Sequence, residues 1–232
     1  MTPPVKRITT GIVGFDDLVQ GGFKQGSINL VSGGPGSGKT IFGIQFLVEG
    51  LKNGEPGIYV TFEEKKDKLY EDMLGFGWDL EKYEKEGKFA FLEYTPEQVK
   101  KVLIEGGGTI DTLVSDMKAK RMVIDSITSF TLLYKDELVQ KESSLALFEL
   151  INKWGCTAVL TSQEETPDGS TITAALEFEV DSIILLYHLR RKGSRVRAIE
   201  ILKMRGTKHP EKTFGLEITN KGVRVLDKVC EI

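Results

Sequence analysis

The chain alternates between short continuous apolar runs and longer stretches in which apolar positions recur every three or four residues. Residues 27–32 are β-rich and lead into a glycine loop, then into a helical stretch over 40–52 whose Ile41, Ile44, Val48 and Leu51 share one face. Residues 58–62 predict a strand, 65–74 a helix and 89–92 another strand. Glycines 106 to 108 break the chain before a helix expected over 109–118. A strand at 122–124, a helix over 141–154 and a strand at 158–160 continue the alternation. Continuous apolar strands separated by amphipathic helices predict a mainly parallel α/β sheet covered on both faces. After Asp181 the rhythm changes. Residues 183–189 and 196–204, joined through Lys192-Gly193, predict an antiparallel hairpin, with strands at 214–218 and 223–226 extending it.

Composition narrows the class. With 232 residues, 40% hydrophobic and 28% charged, the chain is expected to form one domain over 1–232 that buries roughly 70–75% of its unfolded surface. That hydrophobic content excludes a disordered chain, and no third-residue glycine period indicates collagen. The longest apolar runs, such as 183–187, fall far short of the ~20 residues that span a bilayer. The first eleven residues carry charge and proline but no apolar core of a secretory signal, so a soluble cytoplasmic protein is expected, with no membrane partner. Two cysteines, Cys156 and Cys230, and two histidines, His188 and His209, supply neither a disulfide framework nor a metal cluster. A net charge of −3 argues against a dedicated nucleic-acid binder. The dominance of lysine and glutamate among the charges points to a heat-adapted source.

The chemistry concentrates in Gly33-Gly34-Pro35-Gly36-Ser37-Gly38-Lys39-Thr40, which fits G-x-x-x-x-G-K-[ST] between a strand and a helix. Glycines let backbone N–H groups wrap phosphates, Lys39 reaches the β/γ oxygens and the Thr40 hydroxyl ligates Mg²⁺. The helix that opens there turns its positive end toward the same anion. Arg121-Met122-Val123-Ile124-Asp125 is an apolar strand ending in an acid, as a second metal-linked carboxylate requires. Ser126 follows, so no adjacent glutamate can polarise water, and Glu63 and Glu64 at the end of the next strand are the candidate bases. On an extended strand those neighbours point to opposite faces, so one of them suffices to face the γ-phosphate. No Asn-Lys-x-Asp run selects guanine, which favours ATP/ADP. Gln163, in Thr161-Ser162-Gln163 at the end of a strand, is placed to sense the γ-phosphate. Lys203 and Arg205, two apart on a strand, are expected to share a face with Met204 opposite, ready to hold an anion between them.

Together these residues resemble the KaiC-like branch of the RecA-type ATPases. Beyond the phosphate loop, the resemblance rests on Arg7-Ile8-Thr9-Thr10-Gly11-Ile12-Val13-Gly14-Phe15-Asp16-Asp17 with Gly21-Gly22, Thr61-Phe62-Glu63-Glu64, Phe76-Gly77-Trp78-Asp79-Leu80 and Ile124-Asp125-Ser126. A late Lys203-Met204-Arg205-Gly206-Thr207-Lys208-His209 completes the order. The resemblance implies a RecA-like P-loop ATPase fold, Mg²⁺-dependent ATP hydrolysis with Glu63 and Glu64 as catalytic glutamates, and a homo-oligomeric ring, commonly a hexamer. It also implies that Lys203, Arg205 and His209 contact ATP held by the adjacent subunit, and that a regulatory ATPase would serve a protein client.

Thr161-Ser162-Gln163 looks closer to recombinase relatives, so a nucleic-acid-binding recombination ATPase is the second reading. Arg190, Arg191, Lys192, Arg195 and Arg197 are its cations, but no aromatic stacking platform accompanies them. Relatives that phosphorylate themselves carry an adjacent serine and threonine where this chain has Glu177-Phe178. Ser170-Thr171 lies too far upstream to substitute, so hydrolysis without stable autophosphorylation is expected.

Overall fold

The computed structural model describes residues 5–131, 133–134, 136–163 and 179–230. The chain opens with β1 (Arg7–Ile8), α1 (Phe15–Leu18) and β2 (Phe23–Lys24), then β3 (Ile28–Gly33) and α2 (Lys39–Lys52). β4 (Gly57–Thr61), α3 (Lys66–Leu74), α4 (Leu80–Lys85), β5 (Phe89–Glu93), α5 (Pro96–Ile104) and α6 (Gly108–Met117) follow. The second half comprises β6 (Arg121–Asp125), α7 (Ile127–Thr131), α8 (Glu137–Trp154), β7 (Thr157–Ser162), β8 (Ser182–Arg191), β9 (Ser194–Met204), β10 (Phe214–Thr219) and β11 (Gly222–Val229). Nine strands make one sheet in the order β11-β10-β9-β8-β3-β7-β6-β4-β5. From β8 to β5 every pairing is parallel, and β9, β10 and β11 add antiparallel strands at the other end.

Period-two alternation divides the core into two layers. Val31, Tyr59, Val123, Val159 and Ile184 pack on one face against Phe42, Phe46 and Leu47 of α2. Leu30, Val60, Ile124, Leu160 and Leu185 pack on the other, against Val99, Val114, Phe130, Leu147 and Ile151. The expected parallel core with an antiparallel extension is therefore what the chain forms. Lys192 and Gly193 both adopt positive φ (45° and 82°), which fits the two-residue hairpin turn between β8 and β9.

Several boundaries differ from the sequence reading. The fourth strand stops at Thr61, and Glu63 and Glu64 lie in the bend that follows. Helix α8 begins at Glu137 because Asp136 caps it, its carboxylate accepting from Leu138 N and Val139 N at 3.0 and 3.1 Å. The short α4 is capped likewise by Asp79. Among the described residues no helix is long and apolar enough to cross a membrane.

Candidate active site

The carboxyl ends of β3, β7, β6 and β4 carry the site. Thr61 stands level with Asp125 across β4 and β6, and Thr161 follows Leu160, the partner of Ile124. Tyr59, Asp125 and Thr161 alternate onto the α2 face, where the first turn of that helix presents Thr40. The result is a buried carboxylate (Asp125, 9% exposed) that accepts three hydroxyls. Thr40 Oγ1 at 2.7 Å and Tyr59 OH at 2.9 Å donate to Oδ2, and Thr161 Oγ1 at 2.5 Å donates to Oδ1. Burial, then the negative charges of Asp125 and Glu64, push the Tyr59 phenol well above its ordinary range, so it stays a donor. The peptide after Asp125 is cis, and the chain then turns out of the sheet into α7.

The glycine loop closes over the end of β3. Gly36 and Gly38 adopt φ of 72° and 108°, and a Cβ on Gly33 would stand 2.2 Å from the Leu186 carbonyl oxygen. These conformations and that approach require glycine. Lys39 Nζ donates to the carbonyls of Gly33 and Gly34 at 2.6 and 3.1 Å. Ser37 Oγ is buried in the loop and has no hydrogen-bond partner among the described residues. An orphaned hydroxyl is costly unless a ligand oxygen meets it. The crest of the loop is gripped by cross-strand partners of the hairpin. His188 Nδ1 lies 3.2 Å from Pro35 O, and Arg197 Nε donates to Gly36 O at 2.8 Å. Ile218 and Val223 lie beside Gly38.

The two glutamates occupy different surroundings. Both backbone N–H groups donate to Thr61 Oγ1, at 3.2 and 3.1 Å, which fixes the bend. Bend geometry replaces strand alternation here, so the expectation that they point to opposite faces of an extended strand does not apply. The Glu63 carboxylate accepts a short hydrogen bond from Ser129 Oγ and two from Gln163 Nε2, both at 3.2 Å. Gln163 N in turn donates to Thr128 Oγ1 at 2.9 Å, tying the end of β7 to α7. Glu64 is half-buried, and its charge is felt at Tyr59.

Lys203 and Arg205 lie elsewhere. Met204 pairs with Ser182, and Ser182 pairs with Asn29 near the start of β3, at the amino edge of the sheet. Alternation is broken between Ile183 and Ile184, where β9 bulges at Leu202, and the strand ends at Met204. Lys203 Nζ donates to Val180 O at 2.9 Å, while exposed Arg205 sits in the turn beyond the strand, its N–H on Asp181 O at 2.8 Å. The expected shared strand face therefore gives way to a strand residue and a turn residue. His209 follows in the same connection, its Nδ1 3.4 Å from Pro210 O. Of the five hairpin cations, Arg197 holds the glycine loop and Arg195 donates to His188 O at 3.0 Å. Glu177-Phe178, Ser170-Thr171 and Thr173 lie outside the described residues.

Sequence reasoning missed Tyr59, Thr128, Ser129, His188 and the loop-holding use of Arg197. Strand register brings Tyr59, His188 and Arg197 to the site and the turn into α7 brings Thr128 and Ser129, and the pairing of β4 with β6 was not readable from spacing.

A family model described as "ATPase: KaiC" matches residues 8–229. The chain is 34% identical over 228 residues to the circadian clock protein KaiC3 of Synechocystis, covering 95% of this chain and 45% of that one. It is 37% identical to a UPF0273 protein of Pyrococcus furiosus, covering 98% and 97% respectively. A solved KaiC-like protein from Pyrococcus horikoshii superposes with a TM-score of 0.85 at 38% identity, over 96% of this chain and all of that one.

Proposed function

The chain belongs to the KaiC family of ATPases, and on that premise we propose that it is a Mg²⁺-dependent regulatory ATPase, one domain per subunit, working in a homo-oligomeric ring, with ATP held between neighbours. The observation that carries this reading is the separation of its parts. Gly33 pairs with Leu186, whereas Met204 is four rises back along β8, opposite Ser182 and Asn29. At ~3.3 Å per residue the two ends stand roughly 13 Å apart. The turn that bears Arg205 therefore serves a γ-phosphate on another subunit better than its own.

The residues of the loop suit a triphosphate: wrapped backbone, an orphaned Ser37 hydroxyl and a lysine already at the mouth. On binding, Lys39 exchanges the Gly33 and Gly34 carbonyls for β/γ oxygens. Thr40 and Asp125 present a hydroxyl and a carboxylate oxygen, the hard donors that Mg²⁺ takes alongside substrate phosphates. When bound, that ion would neutralise charge on the phosphates. Glu63 and Glu64 orient and polarise the attacking water, Glu63 from a position held by Ser129 and Gln163. Gln163, bonded to Glu63 on one side and to α7 on the other, links that carboxylate to the chain that follows it. Lys203, Arg205 and His209 of the adjacent subunit stabilise charge on the transferring group. The regulatory role rests on likeness to a protein named for the circadian clock. The nucleic-acid reading is weaker, since two of its five cations are bonded to the chain's own backbone.

Site-directed variants test the reading. Lys39→Ala should abolish turnover and greatly weaken ATP binding. Arg205→Ala should bind ATP normally but hydrolyse it slowly, by roughly 10³–10⁵ where such residues have been measured. Mixing the two should restore part of the rate, because an intact loop then meets an intact arginine. Full specific activity from a monomer at high dilution would refute the trans arrangement.

A further inference from the structure

We propose that Arg7 is a positioning residue for the turn that carries Arg205, setting that arginine for a neighbour's phosphate. The inference rests on the trans reading above. Its basis is a bridge between the two ends of the chain. The half-buried Arg7 guanidinium donates from one nitrogen to the carbonyls of Val19 and Gly22, at 3.0 and 2.9 Å. From the other it donates to Gln20 Oε1 at 3.3 Å and, 200 residues along the chain, to Thr207 Oγ1 at 2.8 Å. The first set makes Arg7 the closing strut of the turn between α1 and β2. That turn lies tight against β1, where a Cβ on Gly22 would stand 2.0 Å from Ile8 O. The last bond hangs the 204–207 turn from this strut.

Backbone bonds to described residues hold the turn as well. Thr207 N closes it on Met204 O at 3.2 Å, and Arg205 N is held by Asp181 O at 2.8 Å. Lys24, on the partner strand of β1, lies over Gly206, with Nζ 2.6 Å from where a Cβ would be. Its ammonium faces a residue with φ of 61°, so the turn is shaped by the β1–β2 ribbon on one side and by β8 on the other. Two backbone bonds fix the path of Arg205, while Arg7 fixes the far leg of the turn and hence the angle at which Arg205 leaves the sheet. A planar guanidinium with forked donors suits this task, and a lysine, with one point charge, cannot span the same three acceptors and a hydroxyl at once. A small tilt is costly in rate, since misplacing a reacting contact by 1 Å can cost about 10²-fold.

Thr207→Val removes only the hydroxyl, and Arg7→Ala removes the strut. Each should lower kcat by about tenfold or more while leaving ATP affinity within about twofold, because the affected cation acts in the neighbour's transition state. The pair Arg7→Ala with Thr207→Val should be no slower than Arg7→Ala alone, as expected for two ends of one bond. Mixing separates positioning from general weakening. Arg7→Ala subunits mixed with Lys39→Ala subunits should recover activity, since the latter present a correctly set Arg205 to an intact loop. The same subunits mixed with Arg205→Ala should not recover. If Arg7→Ala does not fold, Thr207→Val carries the same mixing test, as it keeps the strut on Val19 and Gly22. Full turnover by Thr207→Val with slow Arg205→Ala would overturn this inference alone. Equal rescue by both partners would also overturn it. Full turnover by Arg205→Ala would refute the trans reading and this inference with it.

Discussion

Tyr59→Phe isolates one of the three hydrogen bonds that hold the Asp125 carboxylate in place. The phenol is fully buried, donates to Asp125 Oδ2 at 2.9 Å and stacks on Phe91 with centroids 5.7 Å apart. Phenylalanine preserves the stack and the volume, so only the hydroxyl is lost. Thr40 and Thr161 still donate to the carboxylate, but one acceptor site on a 9% exposed charge is left unmet. Hydrogen bonds to charged groups are worth about 1.5–3 kcal/mol. We expect urea denaturation to show a loss of about 2 kcal/mol with unchanged m, and a fall in Tm of roughly 4–8 °C for a chain of this size. Adding Asp125→Asn to form a double-mutant cycle should return most of that loss as coupling, since the two groups are direct partners.

The same hydroxyl has a pH signature. Burial, followed by the charges of Asp125 and Glu64, raises the Tyr59 pKa in the folded state above its ordinary 10.0. A proton held more tightly by the native state stabilises it fully below the unfolded value. That contribution is lost as pH rises through the folded one. Wild-type stability should therefore decline above about pH 10 more steeply than that of Tyr59→Phe. Tyrosinate absorbance at 295 nm should show one fewer phenol appearing with unfolding in Tyr59→Phe than in wild type. A Tyr59→Phe variant within about 0.5 kcal/mol of wild type, with an identical alkaline limb, would refute the charge-assisted bond.

Two further outcomes are expected. Arg121 is 1% exposed, pairs with Glu55 at 2.6 Å, donates to Thr9 O and Phe46 O at 2.8 and 2.7 Å, and lies over the Phe46 ring. Arg121→Met should cost about 3–5 kcal/mol in chemical denaturation, because it strands two carbonyls and a half-buried carboxylate. Prolonged incubation with Mg²⁺-ATP should leave the intact mass unchanged. A stoichiometric gain of one phosphate mapped to Ser170, Thr171 or Thr173 would move the chain into the self-phosphorylating class.

What could be read from the sequence was what is contiguous. The glycine loop is a local motif whose backbone conformations follow from its own residues, and Asp125 is announced by the apolar strand before it. The antiparallel extension was legible because Lys192-Gly193 is a turn signal in its own right. Two kinds of feature were not. β1 and β2 are two residues long and α4 is six, too short for periodicity to register, and α4 is held by its Asp79 cap. The partners of Asp125 depend on which strands become neighbours: β4 and β6 pair although α3, α4, β5, α5 and α6 lie between them in sequence. Likewise nothing in the run 121–125 distinguishes an arginine buried beneath α2 from one at a solvated strand start. That distinction is made by Gly50, where a Cβ would stand 2.4 Å from the Arg121 side chain.

The position of the late cations ties chemistry to assembly. Under the trans reading each subunit offers a glycine loop at the carboxyl edge of its sheet and a cationic turn at the amino edge. The two are used in different contacts, one with each neighbour, so the contact is head-to-tail. Repeated, such a contact closes into a ring or runs on as a filament according to the rotation it imposes. Specific activity then measures the fraction of contacts made. Lys39→Ala and Arg205→Ala damage opposite sides of one contact: the first subunit still lends its arginine, and the second still holds ATP. In a random equal mixture about a quarter of contacts join an intact loop to an intact arginine, which sets the rate that complementation can reach. A mixture that recovers that fraction locates the arginine across the contact, whereas a mixture with no recovery places both groups on one chain.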